Sequence, residues 1–232
     1  MIHGLWGSSA QFNSWTLGQR VLTIDLLGHG IRKENLDYRS ISDYAYDAYF
    51  EISRRIPGEE FDLIGHSAGG LVGQILAAAY PKQVKSLTLV ASSLPNGCGV
   101  NHLPFQVRLV QPNIFMSLMT GRSFKLTPGQ ERFCSQGTDV RLGTESGLAL
   151  REILMCSQMV GPITCPIKVI GAEEDQFLPI DLQAKLADHY RTSLIRVPGT
   201  HMCHMHPRFR DRVVQEVKQH LAAVSQVNSS SN

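Results

Sequence analysis

The pentapeptide Gly65-His66-Ser67-Ala68-Gly69 constrains this chain more than any other stretch. It follows the apolar pair Leu63-Ile64 and precedes a helix-like run over 71–80 that Pro81 stops. The pattern reads as strand, sharp turn, helix. Such a turn forces its serine into a strained backbone conformation, and glycines flank it because no Cβ fits beside it. The Ser67 hydroxyl is then lifted clear of the sheet. The backbone N–H of Ala68, at the helix N-terminus, points at any oxyanion forming beside it. A bare G-x-S-x-G arises by accident in about one chain in ten of this length, so the weight rests on its surroundings.

A serine hydroxyl is a poor nucleophile unless a base takes its proton, and the base needs an acid to fix its tautomer. Both residue types follow strand-like runs. Glu173, Glu174 and Asp175 come after the run 167–171, and His201, His204 and His206 come after 193–197. Asp175 is the expected acid, because an aspartate ahead of apolar Phe177-Leu178-Pro179 can turn inward while two adjacent glutamates suit a solvated surface. His201 is the expected base, since Gly199 supplies a tight turn directly after the strand. His204 and His206 read as surface or supporting groups, and His29, between Gly28 and Gly30, as an exposed loop residue. Near the start, Gly4 permits a tight turn in which the N–H of Leu5 completes a two-donor oxyanion hole with Ala68.

With 232 residues, the chain suits one sizeable α/β domain, expected over 1–224. Apolar runs at 21–25, 63–64, 87–91, 167–171 and 193–197 alternate with helical patterns from 40 or 42 to 56, at 71–80, 181–190 and after Pro207. The class is therefore α/β, with a mostly parallel sheet flanked by helices. Ser40-x-x-Asp43 resembles a capping box. Between about 95 and 162 the alternation lapses into an apolar segment too long for a loop, expected to be a small helical cap over the carboxyl ends of the strands. Its Met116 and Met119, with Trp6, His66 and Phe177, are the candidate substrate-contacting residues. The serine-rich stretch 225–232 reads as a disordered tail.

Net charge is only +2, which gives no electrostatic platform for nucleic acid or anionic lipid and favours a small neutral or apolar ligand. Five scattered cysteines without a C-x-x-C pair, and histidines without a ligand carboxylate at usual spacing, imply no metal and no cofactor. No membrane span or signal peptide is expected, and the location implied is the cytoplasm.

Taken together, the stretches at 3–7, 25–30, 65–69, 171–175 and 199–202 resemble the α/β-hydrolase superfamily, near its small carboxylesterase and lactonase members. The resemblance implies Ser67 as nucleophile, Asp175 as acid, His201 as base, and the amides of Leu5 and Ala68 as oxyanion hole. It also implies missing or shortened strands in the first half of the sheet, since relatives carry more chain ahead of the His-Gly element. The expected activity is hydrolysis of carboxylic esters with small to medium, largely apolar acyl groups. A lactonase, a thioesterase, a carbon–carbon bond hydrolase and a non-catalytic receptor on the same fold are the alternatives.

Overall fold

The computed structural model describes residues 1–4, 7–32, 40–94 and 160–230. Four parallel strands form its sheet in the order β1 (Phe61–His66), β2 (Val84–Val90), β3 (Ile167–Ala172), β4 (Leu194–Val197). In register, Gly65 faces Leu89, Leu87 faces Ile167 and Ile170 faces Ile195. On the outer side of β1 the chain start adds a single parallel bridge, Ile2 to Gly65, and Ile2 in turn bridges Ile24. The expected strand at 21–25 is reduced to that one bridge. The Ile24 N–H reaches Met1 O at 3.1 Å, but the next N–H in step, that of Leu26, is taken by the His3 ring.

Helices α1 (Ile41–Arg55), α2 (Ala68–Ala79), α3 (Ile180–His189) and α4 (Arg210–Ser230) complete the frame. Helix α1 opens with the capping box read from Ser40 and Asp43: each side chain accepts from the other's backbone N–H, satisfying two donors the helix leaves without partners. Successive strand residues point to opposite faces, so each strand feeds two cores. Leu63, Leu89 and Val169 face α1, α2 and α3, packing with Ile52, Val72, Leu76 and Leu186. Ile64, Val90 and Ile170 face the other way and meet Val213, Val217 and Leu221 of α4, together with Phe12 and Trp15.

Helix α4 runs on to Ser230, so most of the stretch expected as an irregular tail continues the helix. Polar serines tolerate helix where the preceding turns are anchored, here by Val217, Leu221 and Val224. The expected cap lies almost wholly outside the described residues.

The strand order carries a functional consequence. From Ile2 the chain moves outward to Ile24, then crosses back to lay β1 on the other side of Ile2. Between the Ile2 segment and β1 the direction of sheet growth therefore reverses. In open α/β sheets the crevice beyond the carboxyl ends of two such strands is where ligands sit. Gly4 lies at one of those ends and Ser67 at the other.

Candidate active site

Ser67 stands between β1 and α2 with φ 52° and ψ −120°, a left-handed-side conformation that side chains rarely adopt. The strain is held from several directions. The Ser67 N–H donates to Val90 O at 3.0 Å, and Ser67 O accepts from Gly70 N–H at 2.9 Å and from the Ser92 hydroxyl at 2.8 Å. Glycine is required on either side. A Cβ on Gly65 would lie 2.4 Å from Gly69 O, and one on Gly69 would lie 2.3 Å from Ile2 O. Ala68 begins α2, so its N–H is among the first-turn donors that have no carbonyl four residues back.

Gly4 packs directly on this turn: a Cβ there would come 3.0 Å from the Ser67 Cβ and 2.8 Å from His66 Nδ1. The Gly4 carbonyl accepts from His3 Nδ1–H at 2.7 Å and from Gly7 N–H at 3.0 Å. His3 Nε2 accepts from Leu26 N–H at 3.1 Å, so the ring is neutral despite Asp25 at 3.9 Å, and burial lowers its pKa to about 3. Leu5, Trp6, Met116 and Met119 lie outside the described residues.

Asp175 turns inward as expected. Its Oδ1 accepts from the N–H groups of Phe177 and Leu178 at 2.9 and 2.8 Å. Its Oδ2 accepts from Gln183 Nε2 at 3.2 Å and from His201 Nδ1 at 2.7 Å. The acceptor is a carboxylate, so Nδ1 carries the proton and neutral His201 presents Nε2 as its lone-pair nitrogen. That Nε2 is buried and without a hydrogen-bond partner among the described residues. Phe177 packs its ring edge-on against His201, with centroids 5.1 Å apart. Gln183, which sequence reasoning passed over, braces the acid loop by donating also to Leu178 O at 2.6 Å. It occupies a buried polar position on α3, a signal readable only once the helix face is known.

Three further histidines are buried. His66 is 1% exposed, and its Nε2–H donates to His201 O at 3.0 Å. His204 is fully buried with its ring 3.7 Å from that of His66, which fits the supporting alternative and not the surface one. Its main-chain oxygen accepts from Trp15 Nε1–H at 2.9 Å, which ties the turn after β4 to the segment after Gly7. His29 is also buried, against His3 and Tyr44, because Gly28 and Gly30, both at positive φ, fold its loop back onto α1. Burial pushes the Cys203 thiol up to about 12, which leaves no thiolate there to compete as a nucleophile.

A cavity of about 420 Å³ lies elsewhere, lined by Leu22, Ile56, Phe61, Leu63 and Lys85. It sits against the N-terminal half of β1, up to about 20 Å along the strand from Ser67. Among the described residues that line it there is no serine, cysteine or histidine.

The family model described as "Alpha/beta hydrolase family" matches residues 1–216. The chain belongs to that family. Among curated proteins, norfluorocurarine synthase 1 from Strychnos is 31% identical over 80 residues, covering 34% of this chain and 30% of the relative. The 2-hydroxymuconate semialdehyde hydrolase of Pseudomonas strain CF600 is 29% identical over 100 residues, covering 40% of this chain and 35% of the relative. The matched stretch thus spans about a third of the length of these curated relatives. A solved thermophilic esterase superposes with a TM-score of 0.70 at 20% identity, covering 96% of this chain and 88% of its own, a likeness of fold. Among the described residues of this α/β-hydrolase chain, no helix is long and apolar enough to cross a membrane.

Proposed function

We propose that this chain is a serine hydrolase acting on carboxylic esters of small to medium, largely apolar acyl groups. The observation that carries the reading is the hydrogen bond from His201 Nδ1 to Asp175, which leaves Nε2 as the basic nitrogen, without a hydrogen-bond partner among the described residues. Ser67 Oγ attacks the ester carbonyl and its proton passes to His201 Nε2. The oxyanion is met by the N–H groups of Ala68 and Leu5. The imidazolium, balanced by Asp175, protonates the departing alcohol, and the same Nε2 then activates water to release the acid.

Two features of the surroundings support this order of events. Asp175 already spends Oδ1 on two backbone N–H groups, so its charge is stabilised before the histidine takes a proton. Phe177 and the buried turn around His201 keep bulk solvent away from the Nδ1–Asp175 contact, which strengthens that ion pair when it forms. The small-molecule ester is the only partner the mechanism needs. The similarity to a semialdehyde hydrolase supports lactones, thioesters and activated carbon–carbon bonds as the alternative substrates, since the same machinery serves them.

Turnover of p-nitrophenyl esters from acetate to dodecanoate, with Ser67→Ala beside the parent, tests the reading. Hydrolysis by the parent that Ser67→Ala lacks is the expected result, and the chain-length optimum sizes the acyl pocket. A folded parent inert on every ester removes the esterase assignment.

A further inference from the structure

We infer that His66 is a positioning residue, a spacer that sets the distance between the backbones of Ser67 and His201. The inference rests on the proposed roles of those two residues. His66 is joined to Ser67 by a peptide bond, and its Nε2–H grips the carbonyl of His201 at 3.0 Å. One planar, rigid side chain therefore links the main chain at the nucleophile to the main chain at the base. Asp175 fixes the far side of the His201 ring through Nδ1. With both Cα and Nδ1 held, Nε2 has one place to be.

The packing around His66 leaves the ring little freedom to turn. One face lies on His204 at 3.7 Å between centroids, and the Nδ1 edge lies against Gly4, where a Cβ would be 2.8 Å away. His204 is in turn anchored through its own main chain by Trp15 and, more loosely, through Nε2 to Gln11 Oε1 at 3.4 Å. Burial, and the neighbouring His204 and His201 rings, hold the His66 pKa well below its ordinary value. The ring thus remains a neutral donor when His201 becomes cationic, and it does not repel the imidazolium. His66 makes no contact with substrate in this scheme; it acts through His201.

Geometry of this kind predicts a rate effect without a binding effect, because a misplacement of about 1 Å at a catalytic group costs on the order of 100-fold. The test measures the labelling rate of Ser67 by a fluorophosphonate probe, along with kcat and KM on the best p-nitrophenyl ester, for the parent, His66→Gln, His66→Leu and His66→Asn. Gln keeps an N–H donor at similar reach and is expected to lose under about fivefold. Leu fills space without a donor and is expected to lose roughly 10- to 100-fold in both labelling and kcat, with KM nearly unchanged. Equal rates for folded His66→Leu and the parent overturn the inference. If His66→Leu does not fold, Gln against Asn decides. Asn ends one bond short of the carbonyl, so a rate close to that of Gln overturns the spacer and a rate well below it supports the spacer. A parent that the probe does not label removes the serine hydrolase reading and the spacer with it, whereas a labelled parent with an unaffected Leu variant removes the spacer alone.

Discussion

At Ser67, the proposed function and stability pull in opposite directions. A non-glycine residue at φ 52° and ψ −120° costs about 1–3 kcal/mol, and the hydrogen bonds from Ser67 N–H to Val90 and from Ser92 to Ser67 O hold it there. Ser67→Gly is therefore expected to raise stability by about 1 kcal/mol while removing turnover, whereas Ser67→Ala removes turnover at nearly unchanged stability. Urea midpoints of the three proteins check this, and a glycine variant no more stable than the alanine one argues against strain. The two histidines after β4 separate in the same way. His201→Ala is expected to lower turnover by about 1,000-fold or more. His204→Ala opens a void beneath His66 and is expected to cost about 2–4 kcal/mol in stability, with less than tenfold loss of rate at temperatures where it remains folded. A larger rate loss for His204→Ala than for His201→Ala reverses the assignment of the base.

Among the elements, the join of Ile2, β1 and α2 is the least tolerant, since backbone meets backbone there. Gly69→Ala drives a Cβ to 2.3 Å from Ile2 O, which no side-chain rotation relieves, and is expected to cost more than about 2 kcal/mol or prevent folding. Gly58→Ala meets nothing within 4 Å and carries only the penalty of its positive φ, about 1 kcal/mol. Thermal melts of the two variants measure the contrast. Elements with a strong local signal were legible in the sequence: the apolar runs of β1 to β4, the Ser40 capping box, and the glycines that a strained serine demands. The pairing of Asp175 with His201 was legible because each follows a strand on a short loop, which limits where their side chains can go. The burial of His29, His66 and His204 was not. A lone histidine among glycines or methionines has no periodicity, and its environment comes from distant segments: Tyr44 for His29, Phe12 and Trp15 for His204. The reduced pairing at 21–25 was equally hidden, since it depends on where the His3 ring spends its acceptor.

Across the whole molecule, neutral buried histidines make folding sensitive to mild acid. Burial lowers His3 and His204 to about 3, and His66 is also held well below its ordinary value. In the unfolded chain each returns to about 6.5, so below that pH the unfolded state binds more protons than the native one. Stability is then fully present above pH 6.5 and falls as the pH drops toward the native values near 3. Each histidine adds a slope of up to about 1.4 kcal/mol per pH unit, and three acting together outweigh any one surface ion pair, worth about 0–1 kcal/mol. Urea unfolding between pH 8 and 5 is expected to show a plateau down to about pH 7 and a steepening loss beneath it. His204→Gln should reduce the slope by up to one proton's worth, because the amide cannot be charged. The same neutrality serves the proposed chemistry, since it leaves His201 as the one ring of its cluster that needs to accept a proton during turnover. A stability that stays level or rises from pH 7 to 5 would mean that these rings exchange protons with solvent in the native state, and a cationic His66 or His204 would then oppose the imidazolium that the reaction requires.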